Sequence, residues 1–153
     1  MRLILCAAGK LRHGHERELT AHYLDRIRRS GKNIGFGAAT LQEYDPNRRP
    51  FPAWLRQLAE DSNTVFCVLD ESARQMTSTE FANALAGWRD RGMSTASFMI
   101  GGPDGVSGEF TKMADHRISF GRMTFPHMLM RILLTEQLFR AVSILRGDPY
   151  HRE

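Results

Sequence analysis

The sequence predicts an α/β domain with a mainly parallel sheet and helices on both faces. Short apolar runs alternate along the chain with segments whose apolar residues recur at helical spacing. The run 64–70 is continuously apolar and β-branched, which is typical of a strand covered on both faces of a sheet. Because the chain of 153 residues contains no repeat, low-complexity tract or linker, we expect a single domain spanning residues 1–153.

The first half of the chain predicts a strand, a helix, a weaker strand, a short helix and a central strand. Gly9 ends the first apolar run, and three prolines within residues 45–52 exclude regular structure between the second strand and the second helix. The predicted bounds are 2–8, 15–29, 36–44, 53–60 and 64–70.

The second half of the chain predicts three helices and two strands. Thr77 and Glu80 have the spacing of a capping box at a helix start. Pro126 suits the first turn of the last helix, and Gly147 suits its end. The predicted bounds are a helix to about 91, a strand at 96–100, a helix at 108–114, a strand at 117–120 and a helix from 126 to 146.

The last predicted helix is apolar around most of its circumference, which is too much for a helix with one face in water. One interpretation is a central core helix. The interpretation we favour is that one face packs on the sheet and another on a second copy of the chain, as in a symmetric homodimer.

Composition restricts the class of protein. No charge-free apolar segment approaches membrane-spanning length and no signal peptide is evident, so we expect a cytoplasmic protein without a membrane partner. Cys6 and Cys67 lie in strand-like runs and are interpreted as buried reduced thiols. Residues 1–33 contain eight Lys and Arg against three Asp and Glu, which indicates either an RNA-attracting surface or an ordinary solvated helix face. The histidines lack metal-ligand spacing, so no metal site is expected.

Three strand-exit segments predict a ligand site at one edge of the sheet. Gly101-Gly102-Pro103-Asp104-Gly105 follows a strand, and glycines let backbone groups approach a ligand closely. Leu69-Asp70-Glu71 ends the central strand, and residues 120–125 lie between the last strand and the last helix. Apolar side chains there would sandwich a purine while main-chain groups read its edge. The alternatives are a purely structural glycine turn and plain core roles for Met123 and Phe125.

Polar groups near the carboxyl terminus are candidates for chemistry. Arg140 either forms a helix-surface ion pair with Glu136 or points into a polar site or interface. Tyr150, His151 and Arg152 combine a stacking ring, a titratable imidazole and a permanent cation. The alternative for these three residues is an ordinary frayed terminus.

With these segments, the chain resembles the ribosomal RNA large subunit methyltransferase H family, which are small SPOUT methyltransferases. The resemblance runs nearly end to end. The segments that carry it include Leu69-Asp70-Glu71, Ile100-Gly101-Gly102-Pro103-Asp104-Gly105, Met123-Thr124-Phe125-Pro126-His127, Glu136-Gln137-Leu138, Ser143-Ile144-Leu145-Arg146-Gly147 and Pro149-Tyr150-His151-Arg152.

The resemblance implies a SPOUT-type α/β fold with a C-terminal trefoil knot, a homodimer, and S-adenosylmethionine held in the knot. It implies a pseudouridine in 23S rRNA of the assembled ribosome as the substrate, methylated at N3. The cofactor-binding residues it implies are Leu69, Gly101, Phe120, Gly121, Arg122, Met123, Thr124 and Phe125.

Methylation at N3 requires loss of the N3 proton, so a base or an anion-stabilising cation is needed. We expect Arg140, Tyr150, His151 and Arg152 to supply these roles, with the tail crossing to the partner subunit's cofactor. Two rivals stay open. One is a SPOUT methyltransferase that acts on tRNA or on a ribose hydroxyl, and the other is a non-catalytic ribosome-binding factor.

Overall fold

The computed structural model describes residues 1–150, which form five strands, five α-helices and one 3₁₀ helix. The elements in chain order are β1 (Arg2–Ala8), α1 (His15–Gly31), the 3₁₀ helix (Lys32–Ile34), β2 (Ala38–Tyr44), α2 (Ala53–Glu60), β3 (Thr64–Leu69), α3 (Ser78–Asp90), β4 (Thr95–Ile100), α4 (Gly108–Met113), β5 (His116–Ile118) and α5 (His127–Arg146).

The five strands form one sheet in the order β2-β1-β4-β3-β5, and every neighbouring pair is parallel. Arg2 of β1 pairs with Ala38 of β2 on one side and with Thr95 of β4 on the other. Because all strands run the same way, their carboxyl ends share one edge, where ligands of open α/β sheets bind. The predicted mainly parallel α/β sheet is confirmed.

Alternate residues of β1 separate two hydrophobic cores. Leu3, Leu5 and Ala7 face a core shared with α1, α3 and α5, whereas Ile4 and Cys6 face a smaller core shared with α2 and α4. Both faces of the sheet are therefore covered by helices, as predicted from the continuous apolar strands.

Several element ends differ from the predicted bounds. The strand predicted at 36–44 begins at Ala38, because the Phe36 N–H bonds the Gly31 carbonyl (2.8 Å) in the preceding turn. The strand β5 ends at Ile118, and Ser119 continues only as an isolated bridge to Gln75. The capping box at Thr77 is confirmed.

The last helix, α5, begins at His127, with Pro126 as the residue before it instead of inside its first turn. Its 20 residues span about 30 Å. Leu134, Leu138 and Val142 are fully buried in the larger core, while Met128 and Leu129 at its start are exposed. Among the described residues, no helix combines the length and apolarity needed to cross a bilayer.

The threading of the chain as a trefoil knot stays a prediction.

Candidate functional site

The carboxyl ends of β3, β4 and β5 meet the start of α5 around a cleft of about 860 Å³. Small-ligand sites in proteins occupy roughly 300–1,000 Å³. The cleft has apolar walls from Leu69, Ile100, Phe120 and Met130, next to carboxylates of residues 70, 71 and 104. Its position at the strand ends is the one expected for a ligand site in a parallel sheet.

The glycine turn after β4 forms one wall of the cleft. The Gly105 N–H donates to the Gly102 carbonyl (3.0 Å), which closes a tight turn. A Cβ on Gly101 would lie 2.2 Å from the Gly105 carbonyl carbon and 2.5 Å from the Val106 nitrogen. Gly101 is therefore required because the backbone of the turn folds back against it, and the main chain of this wall is left bare of a side chain at that point.

The segment from β5 to α5 forms the opposite wall and is tied to the end of β3. The Thr124 hydroxyl donates to Glu71 Oε2 (2.8 Å). The Ser119 hydroxyl contacts the Gly121 carbonyl at 2.9 Å and the Glu71 carbonyl at 3.2 Å. These hydrogen bonds fix the position of this wall relative to the end of β3.

A charged pair closes the outer end of this wall. Arg117 Nε donates to Asp70 Oδ2 (2.9 Å), and its Nη2 donates to Ser72 Oγ (3.0 Å). Burial opposes ionisation of Asp70, but hydrogen bonds from Ser72 and Arg117 outweigh it and hold the pKa of Asp70 below its ordinary value. The carboxylate is therefore ionised at neutral pH, and it links the ends of β3 and β5.

The cleft brings together seven of the eight residues that the resemblance assigned to the cofactor. The seven are Leu69, Gly101, Phe120, Gly121, Met123, Thr124 and Phe125. Arg122 lies between two of them in the chain but is exposed and does not line the cleft. His127 also lines the cleft, at the start of α5. The cofactor roles of all these residues stay predictions.

The catalytic candidates within the described residues form a separate cluster. Glu136 Oε1 accepts hydrogen bonds from Arg140 (2.7 Å from Nη2) and from the Tyr150 hydroxyl (3.1 Å). The Tyr150 ring packs edge-on against Phe139, with centroids 4.7 Å apart. Burial, followed by hydrogen bonding to Tyr23 and the charge of Glu136, raises the pKa of Tyr150. The predicted ion pair of Arg140 with Glu136 is present, and a role of Arg140 in a polar site or interface stays a prediction.

Arg140 and Tyr150 do not line the cleft of the same chain. Glu136, which both side chains bond, is six residues after the cleft-lining Met130 on α5, about 9 Å further along the helix axis. His151 and Arg152 lie outside the described residues. The structure therefore brings Arg140 and Tyr150 together with each other but not with their own cleft.

Sequence reasoning missed the charge that fastens the edge of the sheet beside the cleft. Arg131 of α5 is 1% exposed and contacts Glu43 Oε1 (2.6 Å, from Nη1) and the Gly9 carbonyl (2.8 Å, from Nη2). It also donates to the Ala8 carbonyl. The Leu11 N–H donates to the same oxygen of Glu43 (2.8 Å). An arginine inside an otherwise apolar helix was the available signal, but its partner in β2 could not be read from spacing.

The position of Asp70 and Glu71 directly after the clearest strand was a sequence signal for a role at the sheet edge. No sequence pattern marked Arg117.

Among the described side chains, no group of three His, Cys, Asp or Glu is placed to hold a metal ion.

Comparison with known proteins adds independent information. A family model described as "Predicted SPOUT methyltransferase" matches residues 1–151. The ribosomal RNA large subunit methyltransferase H of Dinoroseobacter shibae is 44% identical over 155 residues, covering 99% of each chain. The protein of the same name from Paracoccus denitrificans is 44% identical over 156 residues, covering 100% of each chain.

Two solved structures from Neisseria gonorrhoeae share the fold. One is a ribosomal RNA small subunit methyltransferase E bound to S-adenosyl methionine, with a TM-score of 0.51 and 10% identity, covering 95% of this chain and 66% of that one. The other is a putative methylase family protein with a TM-score of 0.52 and 13% identity, covering 99% and 85%. At these identities the likeness concerns the fold alone.

Proposed function

The chain belongs to the ribosomal RNA large subunit methyltransferase H family of SPOUT methyltransferases, and from this premise we propose that it methylates N3 of a pseudouridine in 23S rRNA of the assembled ribosome. S-adenosylmethionine supplies a methyl group on a sulfonium, which a nucleophile attacks in line. The observation that carries the proposal is the single cleft formed by the exits of β3, β4 and β5. A ribosomal substrate also places the protein in the cytoplasm.

We assign the methyl donor to this cleft. Its volume of about 860 Å³ suits a ligand of nucleoside size with an amino-acid arm. Leu69, Phe120 and Met130 offer apolar contacts for a purine, and the glycine turn, which Gly101 allows to fold tightly, offers main-chain hydrogen-bonding groups. The other assigned residues are Gly121, Arg122, Met123, Thr124 and Phe125, with Arg122 acting from outside the cleft lining.

The carboxy-terminal tail is proposed to activate the substrate. As N3 attacks the methyl carbon, its proton must leave and negative charge develops on the ring. Arg140 carries a permanent positive charge that stabilises this developing negative charge. Tyr150 is protonated at neutral pH, because burial raises its pKa, so it donates a hydrogen bond instead of accepting the proton. His151 is the member of the set whose side-chain type titrates near neutrality, and Arg152 adds a second cation for the RNA.

The position of Arg140 and Tyr150 outside their own cleft supports a homodimer in which each tail serves the partner's cleft. Within one chain neither side chain lines the cleft, and both bond Glu136 instead. Around the start of α5, large apolar side chains are exposed: Met123 (74%), Phe125 (37%), Met128 (40%) and Leu129 (43%). An exposed apolar patch beside a ligand cleft is typical of a protein interface. A two-fold symmetric dimer would bury this patch on both subunits.

Deletion of residues 149–153 tests the role of the tail. We expect the deletion to abolish methyl transfer to ribosomes while calorimetry shows nearly unchanged binding of S-adenosylmethionine. Mixing the truncated protein with a full-length Gly101→Val variant should restore partial activity, because a mixed dimer pairs one intact cleft with one intact tail. Full activity of the truncated protein alone would refute the assignment of the tail.

The target nucleotide is tested by mass mapping of 23S rRNA nucleosides from cells with and without the gene. A missing N3-methylpseudouridine in the mutant cells is the expected result. A missing tRNA mark or ribose methyl group would support the rival methyltransferase. A non-catalytic ribosome-binding factor would give no heat with S-adenosylmethionine.

A further inference from the structure

The carboxyl edge of the sheet has two halves with different character. β4, β3 and β5 end at the cleft, whereas β1 and β2 end in two loops, residues 9–14 and 45–52, on the other side of β4. The two loops leave the sheet side by side, since the Gly9 N–H donates to the Tyr44 carbonyl (2.8 Å). We call these two loops the basic half-edge.

The basic half-edge adjoins the cleft through the glycine turn. A Cβ built on Gly102 would lie 3.4 Å from Pro46 Cγ and 3.7 Å from Ala8 Cβ. A second cavity, of about 310 Å³, lies between the 45–52 loop and Gly102 to Gly105. The glycine turn therefore lines both the cleft and the second cavity, so a polymer bound on the basic half-edge lies next to the cleft.

The cations of the basic half-edge are exposed and available. Lys10, Arg12 and Arg48 are exposed, and within residues 1–150 none of the three forms an ion pair or donates a side-chain hydrogen bond. The guanidinium of Arg49 lies 3.7 Å above the ring of Phe51. The acidic residue in the two loops is Asp45, whose Oδ1 accepts from the Asn47 N–H (2.9 Å).

The backbone beneath these cations is fixed. Leu11 is 8% exposed, and its N–H bonds Glu43, which is itself paired with buried Arg131. Arg17 donates to the Arg12 carbonyl (2.7 Å) from the first turn of α1. Lys10 and Arg12 thus project from a loop that is anchored at its centre, so presenting them to a partner costs little ordering of the main chain.

We propose that the basic half-edge binds phosphates of the rRNA that flanks the target nucleotide and so leads the RNA across the glycine turn to the cleft. The inference rests on the proposed function, because it assumes that the cleft acts on RNA. Several exposed, unpaired cations on two adjacent loops match a phosphate backbone, and each neutralised phosphate releases counterions. Contacts to phosphates do not read base edges, so these cations set the affinity and orientation of the RNA and not its sequence preference.

The test is a triple variant, Lys10→Ala with Arg12→Ala and Arg48→Ala, compared with a matched control, Lys32→Ala with Arg91→Ala and Lys112→Ala. Both triples remove three exposed cations outside any ion pair of the described residues. Lys32 and Arg91 precede β2 and β4, toward the amino edge of the sheet, and Lys112 lies on α4, so none of the three belongs to the basic half-edge. A fluorescein-labelled RNA stem-loop of the target region is titrated by anisotropy at several salt concentrations.

The half-edge triple should raise the Kd for this RNA about tenfold or more near 0.1 M salt and reduce the salt-dependence slope by about 2 to 3. The control triple should change Kd less than about twofold. With ribosomes as substrate, the half-edge triple should raise KM while kcat stays near the wild-type value. Equal effects of the two triples on RNA affinity, or no effect of either, would overturn the proposal.

Two further measurements separate a docking role from other causes. Circular dichroism melting reports whether the triple folds, and an Arg12→Lys/Arg48→Lys variant, which keeps the charge, should bind RNA as the wild type does. Calorimetry with S-adenosylmethionine on the same proteins tests the proposed function separately. A wild type that binds RNA through the half-edge but transfers no methyl group would overturn the proposed function and leave only the phosphate-binding part of this inference.

Discussion

Replacement of Arg131 by Met tests how the sheet edge beside the cleft is held. Arg131 is 1% exposed, so Arg131→Met leaves Glu43 without its ion-pair partner and the Ala8 and Gly9 carbonyls without a donor. Breaking a buried pair from one side costs about 3–5 kcal/mol. The Glu43 side chain keeps 24% exposure, so water offsets part of this loss, and we expect about 3 kcal/mol of lost unfolding free energy.

Urea unfolding followed by circular dichroism measures this loss, and the expected fall in Tm is about 10 °C for a chain of this size. A cycle with Glu43→Gln should give a coupling free energy of about 1–3 kcal/mol. Arg140→Met is the control, because its ion pair on the same helix is 27% exposed and is expected to contribute less than about 1 kcal/mol. A cost below about 1 kcal/mol for Arg131→Met, or strict additivity in the cycle, would refute the reasoning.

Three other predictions follow from the contacts of the described residues. Gly101→Ala should weaken S-adenosylmethionine binding at least tenfold by calorimetry because its Cβ clashes with the turn, whereas Gly108→Ala, with nothing within 4 Å, should bind normally; equal affinities would contradict the turn's role. Burial raises the pKa of Cys6 to about 12 and that of Cys67 well above its ordinary value, so iodoacetamide at pH 8 should label neither thiol until urea unfolds the chain. Because the pKa of Asp70 is lower in the folded chain than its ordinary value of 3.8, the ionised carboxylate stabilises the fold above pH 3.8, and this stabilisation is lost as the pH falls through the lowered pKa. Asp70→Asn should therefore flatten the acid side of the stability profile, and an unchanged acid limb would contradict this.

Local patterns predicted most of the fold because local chemistry decides it. The strand Arg2–Ala8 and the helix Ala53–Glu60 have the predicted bounds, since each is delimited by a glycine, a proline or a change of periodicity. The capping box at Thr77 is likewise a short-range bond pattern. The shift of β5 to His116–Ile118 depends on pairing with β3, which no local pattern encodes.

The site was partly predictable for the same reason. Leu69 ends β3, whereas Gly101 and Thr124 come after β4 and β5, and parallel strands bring such residues to one edge. The pairs Arg117 with Asp70 and Arg131 with Glu43 join positions 47 and 88 residues apart, so their formation depends on tertiary packing.

The most direct test of the central claim is a crystal structure of the protein grown with S-adenosylmethionine. Our account predicts density for the methyl donor in the cleft between the exits of β3, β4 and β5, in contact with Leu69, Gly101 and the 120–125 loop. It also predicts Tyr150 of the partner subunit beside the methyl group. Density for the donor elsewhere on the chain, with this cleft empty, would contradict the account.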